Sequence, residues 1–396
     1  MSGPQAFRRN KEDVDVDAND LFDHRRMSRR NVLRAGLVGS AGLALAACGN
    51  NAGSGQSSAP ASATGGASVP STKPDSIVVR TWGDPWQSTY TNGPVKSFTA
   101  KTGIGVDFDV TDYLEIQTKV RQSLAAGQRP PVDVVLTIES SAYAAAAQGI
   151  SVPLDPSIVT NLSALTSVGR PADGSTSYAN PTSYSQPIVY ATDRVTLPAS
   201  ISWEEIWNPK YKGRLFVTST PQSLLLPTAK LLGVDIATDD LTPVWDKIAQ
   251  LQPNIAAAGD EEEFISGVQR GEFDLGITLA AVAVDVKGVK WIVPTEGIAL
   301  SFESFFVPKG LPEDVTYWAQ VFVNEALSAE AGTALTVGLN EVSTNPGAQL
   351  PASMQGDPAF PFTQEEIQKY GLVSDPALFA RNQDPWQAAY TAAITG

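Results

Sequence analysis

The sequence predicts an α/β protein of two domains, built on mostly parallel sheets covered by helices, and three observations carry that expectation. Its 396 residues exceed what one hydrophobic core usually organises. At 42% hydrophobic and 18% charged residues, the composition is that of a globular chain. Over most of the length, short β-rich runs alternate with apolar residues at helical spacing, the rhythm of parallel strands joined by crossover helices.

The N-terminus reads as an address. Ser28-Arg29-Arg30-Asn31-Val32-Leu33-Arg34 is a twin-arginine motif, and the Ala/Gly/Leu stretch after it ends in Leu45-Ala46-Ala47-Cys48, which resembles a lipobox. The apolar run 35–47 is shorter than the roughly 20 residues of a membrane span. The expectation is an export signal over 1–47 carrying Arg29 and Arg30, with Cys48 lipidated as the first residue of the mature protein. Residues 49–75 are almost entirely Gly, Ser, Ala, Asn, Thr and Pro, too poor in apolar surface to fold. With Cys48 they make a tether over 48–75, whose root-mean-square reach is about 30 Å.

Charge and rare residues narrow the function classes. Formal net charge is −14; eight Lys/Arg and six Asp/Glu precede Cys48, a net of +2, which leaves −16 for the rest. Such a body repels nucleic acid and anionic headgroups, so no nucleic-acid partner is expected. The only cysteine is Cys48 and the only histidine, His24, falls in the signal. Without imidazole or free thiol, the mature chain has no Ser/His/Asp triad, Cys nucleophile, His base or His/Cys zinc site. An enzyme would have to work with carboxylates, Lys, Tyr or Ser-Lys pairs, so a non-catalytic role without resident cofactor or metal is expected.

The folded part begins at the strand 77–82, closed by the turn signal Gly83-Asp84-Pro85. A helix to Phe98, a stop at Lys101-Thr102-Gly103 and a strand over 104–108 follow. A helix over 115–126 is broken by Pro130-Pro131, and Val132-Asp133-Val134-Val135-Leu136 reads as a buried strand before an alanine-rich helix over 143–148. A polar stretch, 169–185, separates this half from a second. There Ser202-Trp203-Glu204-Glu205 fits a capping box and Leu215-Phe216-Val217 a strand. The acidic run 260–263 has the composition of a cation site but fits better as N-cap Asp260 with first-turn carboxylates. Strands over 273–278 and 290–293 continue the pattern. Ligands of such sheets sit beyond the carboxyl ends of the strands, which points to residues 82–86 and 137–141.

Read in order, these landmarks resemble the spermidine/putrescine-binding family of ABC-importer receptors. The resemblance rests on Thr81-Trp82-Gly83 with Lys101-Thr102-Gly103-Ile104, on Asp133-Val134-Val135 with Gly149, and on Pro153-Leu154-Asp155 with Asn161-Leu162. Its most specific piece is Ser202-Trp203-Glu204-Glu205-Ile206-Trp207-Asn208-Pro209-Lys210-Tyr211-Lys212-Gly213, similar to the family's "SW-DLWDPKYKG". Gly271-Glu272 with Leu275-Gly276, Pro294-Thr295-Glu296-Gly297, Ser328-Ala329-Glu330-Ala331 and, loosely, Thr344-Asn345-Pro346 complete it. The resemblance implies a type II periplasmic-binding-protein-like fold of two discontinuous α/β lobes with a hinge. Lobe 1 would be 76–184 plus 299–341, and lobe 2 would be 185–298 plus 342–396. It further implies a monomeric receptor in the cell envelope, outside the cytoplasmic membrane, with a small-molecule solute, an ABC permease and ATPase, the twin-arginine translocon and, through its lipid, the membrane as partners.

Carried over position by position, the family pocket is half present. Trp82 stands at its first-strand tryptophan, with Asp84 and Trp86 close behind, and Glu303 at its pocket carboxylate. Aromatic positions are replaced by Ser301, Leu279 (beside Thr278) and Ser140, and an acidic pair by Ser219 or Thr220 and Ser223. The hydroxyls of 218–223 would suit an oxygen-bearing group at a strand-to-helix junction. With Glu303 taking an ammonium, the expected ligand is a cationic or zwitterionic, polyamine-like solute. The alternatives are iron(III), which needs convergent Tyr phenolates, and a cell-surface hydrolase working with two carboxylates.

Overall fold

The computed structural model describes residues 68–396; Arg29, Arg30, Cys48, His24 and most of the tether lie outside the described residues. The last tether residues are tied down, since Trp318 Nε1 donates to the Thr72 carbonyl and Lys73 Nζ to that of Thr102.

The chain opens with β1 (Ser76–Arg80), α1 (Trp86–Tyr90), a π turn (Thr91–Val95), α2 (Lys96–Thr102) and β2 (Gly105–Asp109). The expected stop is real: α2 ends on Gly103 at φ 73°, a left-handed cap that only glycine adopts without strain. Next come α3 (Tyr113–Ala125), whose first turn is capped by the Asp112 carboxylate, β3 (Val134–Ile138), α4 (Glu139–Ala147), β4 (Ser151–Val152) and β5 (Thr182–Gln186). The second half holds β6 (Ile188–Ala191), β7 (Leu215–Thr218), α5 (Gln222–Leu232), α6 (Thr242–Ala249) and β8 (Ile255–Gly259). It continues through α7 (Glu261–Gln269), β9 (Leu275–Ile277), α8 (Ala280–Ala283) and β10 (Val289–Ile292). The chain ends with β11 (Ile298–Pro308), α9 (Glu313–Ala326), α10 (Ala329–Leu339), β12 (Val342–Ser343), α11 (Gln364–Tyr370), β13 (Gly371–Val373) and α12 (Pro376–Thr395).

Two sheets result. The first has the order β12-β5-β11-β3-β1-β2, with β4 and β13 also on β11; the second has the order β10-β6-β9-β7-β8. β1 runs parallel to β2 and β3, and β7 parallel to β8 and β9, as the alternation predicts. The sheets are nevertheless mixed, because β11 returns from the second sheet and runs antiparallel to β3 and β5, while β6 lies antiparallel to β9. The chain crosses between sheets at Pro187 and again between Ile292 and Ile298. All eleven residues of β11 are buried. Each sheet has its own core, around Phe98, Leu136, Phe305 and Phe322 in the first lobe and Trp203, Leu215, Leu225 and Ile277 in the second. The stretch 342–396, expected in lobe 2, divides: β12 and β13 pair in the first sheet, whereas Leu378, Trp386 and Tyr390 of α12 enter the second core.

Two local expectations meet different outcomes. Asp260 does cap α7, accepting from the Glu263 amide. The capping box at Ser202 does not form. Residues Trp203–Trp207 make a 3₁₀ turn, the Glu296 carboxylate takes the Ser202 hydroxyl and the Trp203 amide, and Glu205 turns instead to the Tyr211 hydroxyl and Lys210.

Candidate functional site

The first lobe carries its chemistry at the carboxyl ends of β1 and β3. Strand register sets it out: Ser301 lies opposite Tyr184 and Glu303 opposite Ile138, so residues 301 and 303 share one face of β11. Trp82, just past β1, donates from Nε1 to Glu303 Oε2 at 2.8 Å. The Arg80 guanidinium stacks 4.0 Å over the indole, and Tyr113 meets it edge-on at 5.7 Å. One indole face is therefore already occupied. Arg80 is itself held by the carbonyls of Leu136 (2.6 Å) and Thr111 (2.9 Å).

A second carboxylate joins this cluster. Glu341 follows α10 and accepts from the Thr182 hydroxyl at 2.5 Å. Glu303 is 4% exposed and Glu341 2%. Burial pushes Glu303 up to about 7, against the Trp82 hydrogen bond and the Arg80 charge that hold it down. Glu341 is raised well above the usual range by burial and by the Glu303 charge. The two titrate as a pair. Burial and the charges of both carboxylates also raise the phenols of Tyr90 and Tyr184, so the four groups lie within electrostatic reach of one another. On the facing lobe, burial raises Glu261, whose charge reaches Tyr184.

Several buried polar atoms in both lobes have no protein partner. Buried and unpartnered are the hydroxyls of Thr81, Thr137 and Thr278, the Trp86 indole N–H and Gln186 Oε1 at the crossover. Such groups cost free energy unless something else bonds them. Where Ile138, Ser140, Tyr184 and Ser301 meet Gln222 of the second lobe and Phe379 of α12, only about 20 Å³ remains, room for about one water.

The expected site residues thus divide. Trp82 and Glu303 are hydrogen-bonded at the first lobe's strand ends, and Trp86 starts α1, half-buried. Ser140 lies half-buried at the start of α4, and Thr278 is buried at the end of β9. Asp84 is exposed and caps the Ser88 amide at 3.0 Å. The hydroxyl cluster splits: Ser223 is buried and bonds Thr218 at 2.7 Å, while Ser219 and Thr220 are exposed. Glu341, Tyr90, Tyr184 and Arg80 were not foreseen. The period-two pattern that puts Ser301 and Glu303 on one face of a strand was readable in principle; the place of Glu341 depends on Thr182, 159 residues away.

The bacterial extracellular solute-binding protein family profile matches residues 94–362. The spermidine/putrescine-binding periplasmic protein of Escherichia coli is 24% identical over 235 residues, which cover 56% of this chain and 66% of that protein, so the chain spans just under two thirds of that relative's length. Among solved structures, a spermidine/putrescine ABC transporter substrate-binding protein from Streptococcus pneumoniae superposes with a TM-score of 0.65 at 20% identity, covering 81% of this chain and 100% of the other. AgtB from A. tumefaciens, in complex with agropinic acid, gives 0.61 at 20%, covering 81% and 99%. A Trichodesmium protein with iron and citrate gives 0.63 at 17%, covering 80% and 99%. One fold thus holds chemically different ligands, and the type II periplasmic-binding architecture is shared by all.

Proposed function

Because this chain belongs to the bacterial extracellular solute-binding protein family, we propose that it captures a small organic ammonium compound, polyamine-like or zwitterionic, between its two lobes and delivers it to an ABC importer. One observation carries the choice of ligand. Glu303 and Glu341 are both buried and within electrostatic reach of each other, while the nearby guanidinium of Arg80 makes its hydrogen bonds to backbone carbonyls and acts on Glu303 only through its charge. A buried carboxylate that lacks a cation is costly, and a bound ammonium offsets that cost. Trp82, half-buried, and Tyr184, which lines the space between the lobes, supply aromatic surface for its methylene groups. No step of this reading is catalytic.

With room for about one water where the lobes meet, entry requires that they part about the crossovers and then shut over the solute. Iron(III) is disfavoured because Tyr90 and Tyr184 are held as phenols by burial and two neighbouring carboxylates. A thermal-shift series of putrescine, spermidine, 4-aminobutyrate and iron(III) citrate separates the readings. An ammonium compound should raise the melting temperature and iron should not; the reverse outcome refutes the proposal.

The twin-arginine motif and Cys48 support export through the twin-arginine translocon and a lipid anchor, which would hold a monomeric receptor at the outer face of the membrane. Metabolic labelling with a radioactive fatty acid should mark the full chain, and Cys48→Ala should lose the label; a labelled variant would refute the anchor.

A further inference from the structure

The face of β11 that bears Phe302 and Ser304, opposite the Glu303 face, borders a chamber of about 860 Å³, within the size range of small-molecule sites. Its walls are largely apolar, with Val159, Leu162, Val168, Phe302 and Val373 among them. One carboxylate, that of Glu139, reaches it. Glu139 Oε1 accepts from Asn180 Nδ2 at 2.9 Å and from the Tyr178 hydroxyl at 3.4 Å. Asn180 is fixed in turn by the Ser304 hydroxyl at 2.6 Å and the Val168 carbonyl at 2.8 Å. These bonds orient the carboxylate and leave Oε2 without a partner. Arg170 also lines the chamber but forms no ion pair with Glu139, and the charge of Asp375 acts on Glu139 with the same sign. A mostly apolar chamber with a pre-oriented carboxylate that no cation among the described residues pairs is the arrangement that holds a hydrophobic amine, most tightly above about pH 7 where the carboxylate is ionised.

We propose that this chamber is a second binding site, for an organic cation with an apolar body such as an arylalkylamine, anchored through Glu139 Oε2. Glu139 and Phe302, with Ser374 and Pro376, also wall the narrow space where the lobes meet, so an occupant would press on the start of α12, which packs into the second core. The site does not depend on the cleft reading.

The test is calorimetric titration of 2-phenylethylamine into the Glu303→Gln protein, in which the cleft is disabled. One saturable site is expected. Adding Glu139→Gln should weaken it at least tenfold, since the amide oxygen still accepts from Asn180 while the charge is gone. Adding Val373→Trp, at a wall position 45% exposed, should fill the chamber and weaken binding with the charge intact. Absence of saturable binding to the Glu303→Gln protein, or an affinity that either added change leaves as it was, overturns the second site. Loss of putrescine binding by the unmodified protein would instead count against the cleft.

Discussion

Glu303 holds a proton that the unfolded chain releases, because its native value is about 7 against an ordinary 4.5. The stability this contributes is fully present below the ordinary value and is lost as pH rises through about 7. Glu139, also raised to about 7 by burial, adds to the same window. The ligand-free melting temperature should therefore fall between about pH 5 and pH 8, and Glu303→Gln should flatten that fall; an unchanged slope would show that Glu303 does not titrate there. Ligand affinity should move the other way, rising through about pH 7, because an ammonium pairs with the ionised carboxylate. The family-like motif order singled out Trp82 and Glu303, and the structure joins them by a hydrogen bond. Glu341 was not singled out, because a carboxylate shows its burial only once distant strands pair. Ser223 looked like a ligand group for a similar reason: its bond to Thr218 closes within the strand-to-helix junction and leaves no trace in residue type.

At the scale of elements, alternating hydrophobicity located the parallel strands, since β1, β3, β7 and β9 are short runs bounded by turn residues. It could not reveal that β11 runs against them, because direction follows from the return crossover. Glu341 is positioned by the end of α10, where Asn340 adopts φ 55° and bonds the Ala281 carbonyl (3.2 Å) and Asp285 (2.9 Å) in the second lobe. Asn340→Ala should cost about 1 kcal/mol in denaturant unfolding from the left-handed backbone alone; Asn340→Gly should restore stability but not those contacts. If both variants unfold alike, the cap does not set the position of Glu341. In the second lobe, Phe264 of α7 lies so close over β9 that a Cβ on Gly276 would stand 2.3 Å from its ring. Gly276→Ala should destabilise by about 1–3 kcal/mol through overpacking, and a neutral result would mean that helix and strand can separate freely.

For the whole molecule, the proposed capture requires that the two lobes, joined at Pro187, at 293–297 and at 374–375, open for a solute to reach Glu303 and shut to desolvate it. Small-angle scattering should show a smaller radius of gyration with ligand than without; equal values would contradict a hinged capture. Desolvated pairing is also why one carboxylate should matter so much, as a hydrogen bond to a charged group contributes about 1.5–3 kcal/mol. The measurement that bears most directly on this mechanism is calorimetric titration of spermidine at about pH 8 into the unmodified and Glu303→Gln proteins. One saturable site, weakened at least about tenfold by the substitution, is the expected result. Binding of equal strength in both proteins, or none in the unmodified one while iron(III) citrate binds, would contradict it.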